Sequence, residues 1–450
     1  MAIEEALAPW LGNQRWFAGK GQGLRDLAIV SDTKLAAGDP ELRHLIIAVS
    51  HGAAVDYYQI LVGLRRRLPE RLEYARIGPV GDGPAVGGRI AYDALHDADL
   101  TKPILAAIAD DASVGPLRMR TIEGAAFATG LDSLVLTAEQ SNTSLVFGEE
   151  SILKVFRRLS PGPNPDLEVT TALHRLGSSQ VPEPLGWIET RLEGVPTSLA
   201  ILSRYLRLAT DGWSLAATSV RDLYASTDMR AADVGGDFAG ESRRLGIATA
   251  QIHADLAAAF GTDELGTAAV SELTERMFRK LDLASAAVPE LVKHADMIGD
   301  AYAEFAKLKG PFPVQRVHGD YHLGQVLRTE TGWVVLDFEG EPATPLAQRR
   351  ARSSALRDVA GMLRSFDYAA RHQLIGHPDQ AARNDVARDW VRRNTGAFCA
   401  GYAEAGGLDP AANRVLLRAL QLDKAVYEVL YEARHRPSWL SIPLDSLAEF

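Results

Sequence analysis

Residues 315–342 read QRVHGDYHLGQVLRTETGWVVLDFEGEP, and no other stretch restricts this chain's folding options as much. Two aspartates, Asp320 and Asp337, stand beside short apolar segments, and Gln325 follows the first by five positions. Carboxylates set next to apolar strands are costly unless something positive neutralises them. A metal ion carrying a phosphate has the right charge. Mg2+ takes oxygen ligands, one or two of them from protein, and completes its octahedron with water and phosphate. Gln325 and Asp337 are therefore the candidate metal ligands. Asp320 is the candidate base beside an acceptor hydroxyl, and His318 is expected to orient the loop by hydrogen bonding. Glu339 and Glu341 read as solvated turn acids.

The rest of the chain must supply a frame for this hairpin. At 450 residues it exceeds one hydrophobic core, so two or three domains are expected. HLIIAVS and DYYQILVGL, rich in β-branched and aromatic residues, predict strands in a small β-rich unit over residues 1–88. The glycine-rich VGDGPAVGG (80–88) marks its end, and RIAYDALHDADLTKPILAAIADD then reads as helix. Strands return with SLVLTAEQ, NTSLVF and SILKVF, the last two joined by GEE as a hairpin. A helix follows, with Asn164 as cap, Pro165 in its first turn and Gly177 at its end. After VPEPLGWIET and TSLAILSRYL, residues 207–450 read as helical, with VVLDFEG as the sole β-like interruption. The expected division is thus 1–88, 89–206 and 207–450.

Several classes drop out. A net charge of −10 argues against broad nucleic-acid or anionic-membrane binding. The single cysteine, Cys399, excludes an internal disulfide and a thiolate metal cluster. No apolar run reaches the length of a membrane span, and the N-terminus has no secretory h-region, so a cytoplasmic location is expected.

Phosphoryl transfer from ATP needs a cation on the α/β-phosphates, metal ligands, an acid at the acceptor and a covered phosphate channel. Lys154, flanked by Ile152, Leu153, Val155 and Phe156, is the candidate cation. Glu168, in the first turn after Pro165, is its expected partner and Asp166 the rival. No Walker A sequence occurs and no regular glycine loop precedes Lys154, so Ser141, Asn142, Thr143 and Ser144 are assigned to cover the phosphates. In LDKAVYEVLYEARHRPSW (422–439), Lys424, Tyr427, Glu428 and Tyr431 fall on one helical face. Such a stripe of rings and polar groups suits a sugar, and His322 is counted with Lys424, Tyr427 and Tyr431 at the acceptor site. The same stripe also reads as a plain surface helix with internal ion pairs.

HGDYHLGQVL resembles the H-G-D-x-H-x-x-N loop of aminoglycoside-phosphotransferase-like kinases, with Gln325 in place of Asn, and LDFEGEP resembles their D-F-G segment. NQRWFAGKG, EQSNTSLVF, VGGDFAGESRRLG, LRDVAGMLRSFDYAA and LDKAVYEVLYEARHRPSWL further resemble actinobacterial maltokinases. The resemblance implies an α+β, bilobal, protein-kinase-like fold with an N-terminal β-rich cap and a mainly helical C-terminal lobe. It implies an ATP- and Mg2+-dependent kinase making maltose 1-phosphate for α-glucan synthesis, with trehalose synthase as an associated partner. Asp320 is then catalytic, Gln325 and Asp337 hold metal, Lys154 binds ATP, and Lys424 and Tyr427 bind sugar. Two departures stand out: Tyr321 replaces an expected Leu, and AQRRARSSALRD (347–358) lacks an acid expected just before its serines. A kinase for glucosamine or another sugar is the nearest alternative. A non-catalytic nucleotide-binding scaffold and a metal-dependent hydrolase are the others.

Overall fold

The computed structural model describes residues 2–19, 26–51, 54–81, 88–136, 141–225, 236–341, 344–377 and 380–450. The core of the glycine-rich connector (82–87), Glu139, Gln140, Pro342 and residues 226–235 of the long expected helix lie outside them. The chain forms two compact units, residues 1–171 with 182–207, and residues 172–181 with 208–450.

The first unit holds two antiparallel sheets. One is ordered Asp26–Ala36, Glu41–His51, Ala54–Arg65, Arg89–Asp93, Arg76–Val80. The sequence DYYQILVGLR is apolar on both faces because its strand is central. Tyr58, Ile60, Val62 and Leu64 enter one core with Leu7, Leu11 and Phe17, while Leu61 enters another with Tyr92, Leu145, Phe147 and Leu153. That second core is shared with a seven-stranded sheet ordered 113–114, 117–121, 184–192, 195–204, 151–155, 143–147, 133–135. RIAYD, expected as helix, is a strand, since its register with Val62–Arg65 buries Ala91, Tyr92 and Asp93. The first sheet thus runs past residue 88, and only Ala98–Ala109 of that segment is α-helical.

The second unit is built around the helix Leu356–Arg371, in which every residue except Arg357 is buried. It packs against Gly212–Ala225, Gln380–Glu404, Arg414–His435 and Ser441–Leu447. The β structure here exceeds the single expected interruption. Strands 210–211, 326–328 and 333–335 make one small sheet, and 262–265 pairs with 312–315. These strands are too short to carry a periodic signal and exist because neighbouring chain supplies their ladder partners.

Candidate active site

In the first unit, Lys154 lies on the strand Ser151–Val155. Leu153 and Val155 are buried and Lys154 faces the half-buried side. Its ammonium donates to Asp166 Oδ2 at 3.0 Å. Asp166 opens the helix Pro165–Arg175, and its backbone N–H donates to Asn164 Oδ1 at 2.8 Å, the cap expected from sequence. The acid held as rival is thus a direct partner of Lys154, and Glu168 sits half-buried in the same turn. Ser144 stands opposite Lys154 in the ladder and Thr143 opposite Val155. Ser141 is exposed, whereas Asn142, Thr143 and Ser144 are buried. The Thr143 hydroxyl accepts from Arg157 Nε at 2.8 Å, so it faces inward rather than over a phosphate channel.

In the second unit, one carboxylate fixes the loop that bears Asp320. Asp358, on the buried helix, accepts from the backbone N–H of His318 at 2.7 Å and of Gly319 at 2.9 Å. His253 Nε2 lies 3.1 Å from the same carboxylate, and His253 Nδ1 is 2.8 Å from the Tyr402 hydroxyl. Burial pushes the Asp358 carboxyl up, but the His253 hydrogen bond, nearby histidine charge and the Gly319 amide outweigh it and hold it below its usual range. His318 Nε2 is 2.8 Å from the Leu336 carbonyl, which ties the loop to the segment carrying Asp337. The helix passes close behind the loop: a Cβ on Gly361 would meet the Tyr321 carbonyl at 2.6 Å, so any larger residue must displace helix or loop.

Gln325 Nε2 donates to Asp337 Oδ2 at 3.1 Å, which brings the two expected metal ligands together. Asp337 has φ +63°, a left-handed conformation uncommon outside glycine and asparagine and concentrated at functional sites. An amide oxygen and a carboxylate are hard oxygen donors, a set that fits Mg2+.

The residues expected from sequence at the acceptor side also converge. Lys424 Nζ donates to Glu341 Oε1 at 2.8 Å and lies 3.5 Å from Asp320 Oδ1. Burial pulls this ammonium down, but Asp320 and Glu341 outweigh it and raise it above the usual lysine range. It stands 4.9 Å from the Tyr427 ring, and Tyr431 stacks on Tyr427 at 6.2 Å. Burial foremost, then Glu341, pushes the Tyr427 hydroxyl up to about 12. His322 Nε2 is 4.0 Å from Asp320 Oδ2, and burial lowers its pKa, which favours the neutral ring. Glu428 leaves the stripe: it is buried and accepts from Arg364 Nη2 at 2.7 Å.

Both sequence departures have a location. Tyr321 is buried, with its hydroxyl 2.8 Å from Thr249 Oγ1, so it packs behind the loop instead of lining the acceptor site. In the 347–358 segment, Arg357 lies 3.8 Å from Glu341. Sequence reasoning missed Asp358 and the part played by Glu341. Asp358 looks like an ordinary helix-start acid, and only its place on an apolar face marks it. Glu341 looks like a turn acid until the helix Arg414–His435 brings Lys424 to it.

Residues 10–97 match the family described as Maltokinase N-terminal cap domain, and residues 135–340 match the Phosphotransferase enzyme family (APH). A glucosamine kinase of Streptacidiphilus jiangxiensis is 34% identical over 343 residues, covering 74% of this chain and 76% of the relative. A glucosamine kinase of Mycolicibacterium smegmatis is 30% identical over 322 residues, covering 68% and 77%. A solved structure of a glucosamine kinase in complex with glucosamine, ADP and inorganic phosphate aligns over 99% of this chain and 98% of its own. Its TM-score is 0.69 and its identity 27%. No helix among the described residues is long and apolar enough to cross a membrane.

Proposed function

From the premise that the chain belongs to the phosphotransferase enzyme family and has its kinase-like α+β fold, we propose that it is an ATP-dependent sugar kinase acting on maltose at the anomeric hydroxyl. One observation carries this reading. Asp320 lies 3.5 Å from Lys424, on a loop that Asp358 holds and that His318 ties to the Gln325–Asp337 hairpin.

Asp320 orients the acceptor hydroxyl and takes its proton as the oxygen attacks the γ-phosphorus in line. The new oxygen–phosphorus bond forms as the bond to the β–γ bridging oxygen breaks, and ADP departs. Gln325 and Asp337 would hold a Mg2+ ion, which when bound would neutralise charge on the phosphates. Lys154 binds the nucleotide phosphates, and Asp166 keeps its ammonium in place.

Charge at the acceptor favours a neutral sugar. Asp320 and Glu341 face Lys424, and Arg357 stands beside Glu341, so two carboxylates meet two cations. No carboxylate of this group is left over for a substrate ammonium, while the Tyr427 and Tyr431 rings offer the apolar faces on which hexoses stack. The second reading, glucosamine as acceptor, is favoured by the names of the relatives. Maltose, glucosamine and glucose assayed for ADP release, with the phosphorylated oxygen assigned by NMR, decide between them. Turnover of glucosamine alone removes the maltose reading. Asp320→Asn should lower kcat by about 10²-fold or more with ADP binding intact, and unchanged turnover refutes the assigned chemistry.

A further inference from the structure

The segment NQRWFAG near the chain start has no part in the mechanism above, yet its tryptophan packs against Arg157, two residues past the strand that carries Lys154. The strand ends at Val155, the chain runs on through Phe156 to Arg157, and Arg157 is only 1% exposed. A guanidinium removed from water is costly unless its groups find partners; here Nε, Nη2 and one face find them, while Nη1 has no hydrogen-bond partner among the described residues. Nη2 forms an ion pair with buried Asp93 of the first sheet. Nε donates to Thr143 Oγ1 at 2.8 Å, and the Trp16 ring lies 5.0 Å from the guanidinium carbon.

The backbone around Arg157 is built into the first sheet as well. Arg158–Leu159 pairs antiparallel with Tyr57–Tyr58. Gln59 N–H donates to the Arg157 carbonyl at 2.9 Å, and Gln59 Nε2 donates to the Phe156 carbonyl at 2.8 Å. Trp16 is seated in turn, 5.8 Å from Trp10 and 5.8 Å from Tyr58. Thr143, at the far end of these contacts, begins the strand paired with Lys154's own and directly follows Ser141 and Asn142.

We propose that Arg157 is a positioning residue for the nucleotide. By tying Thr143 to Asp93 and Trp16, it fixes from the core side the hairpin whose opposite face presents Lys154. The N-terminal sheet thereby sets nucleotide affinity without a contact of its own to the nucleotide. This rests on the reading of the Lys154 hairpin as the nucleotide site. A purely structural cross-link would instead affect stability and leave the two substrates undistinguished.

Thr143→Val removes the acceptor oxygen at nearly constant shape. Arg157→Lys keeps a charge beside Asp93 but loses the Nε donor, and Trp16→Leu removes the ring face. ADP titration calorimetry, KM for ATP, KM for sugar and melting temperature are measured on each. Thr143→Val and Arg157→Lys should raise the ADP Kd and the ATP KM about tenfold, the loss of roughly one buried charged hydrogen bond, with sugar KM within about twofold. Trp16→Leu should move the same two constants in the same direction. Folded variants that bind ADP like the parent, or that raise both KM values together, overturn the proposal. If Arg157→Lys does not fold, Thr143→Val alone carries the test. Lys154→Met separates the two levels of inference. If it leaves ADP binding unchanged, the hairpin is not the nucleotide site and the proposal falls with that reading. If it weakens ADP while Thr143→Val and Arg157→Lys do not, only the role of Arg157 falls.

Discussion

Gly361→Ala should impair turnover far more than it impairs folding. Gly361 lies where the buried helix Leu356–Arg371 crosses behind the Asp320 loop, and a Cβ there would stand 2.6 Å from the Tyr321 carbonyl oxygen. Ordinary contact begins near 3.4 Å, so helix or loop must yield by about 0.8 Å (3.4 − 2.6). The helix is fixed by burial along almost its whole length and by the Arg364 ion pairs, and the opposing atom is backbone, so neither side gives easily. Overpacking of this kind costs about 1–3 kcal/mol, and alanine recovers about 1 kcal/mol through better helix propensity. The net loss is about 0–2 kcal/mol. Tyr321 directly follows Asp320, and a displacement approaching 1 Å at a reacting group costs about 10²-fold in rate. A coupled ADP-release assay should therefore show kcat down about a hundredfold, beside a urea midpoint only modestly lowered. Parental kcat in a folded Gly361→Ala protein would refute the close-packing argument. So would a loss of rate no larger than the unfolded fraction.

Three further outcomes follow from buried charge. Arg364 is 3% exposed and pairs with Glu428 and Asp367; Asp367 keeps Arg371 as a second partner, so Arg364→Met leaves buried Glu428 without its cation. It should cost about 3–5 kcal/mol in urea denaturation, and an unchanged midpoint contradicts this. Burial lowers the pKa of His44 against the opposing pull of Gln59 and Asp32. Its contribution to stability is therefore complete above an unfolded value of about 6.5 and is lost as pH falls through the lowered folded value. Melting temperature should accordingly drop more steeply on acidification in the parent than in His44→Gln, and parallel curves would exclude His44 as a source. Glu341→Gln takes the nearest partner from Lys424 and leaves the acceptor side more positive. The sugar KM should rise about tenfold with ATP KM unchanged, and equal effects on both substrates would remove Glu341 from the acceptor site.

The fold was readable in proportion to how local its signals are. The hairpin around GEE, the Asn164 cap and the long C-terminal helices follow from turn chemistry, capping and periodicity within a few residues. RIAYD was misjudged as helix because a short apolar run fits either period, and only its pairing with Val62–Arg65 decides between them. Among candidate site residues, Gln325 and Asp337 lie twelve positions apart on one hairpin, so their meeting was legible from spacing. Thr143 was misjudged in detail: four polar residues in a row gave no sign that its hydroxyl turns inward to a buried arginine.

By itself, the sequence determined which chemistry was available: oxygen ligands on a hairpin, a lysine on a strand beside an acid-rich helix start, and a lysine–tyrosine stripe on one helical face. Only the tertiary structure decided how those groups are held. Asp358 reaches His318 and Gly319 across about forty residues, Lys424 reaches Asp320 across about a hundred, and Arg157 reaches Asp93 across sixty-four. Periodicity and capping act over a turn or two of chain. Contacts at these separations depend on which faces the cores bury, and that is settled only when whole sheets and helices pack.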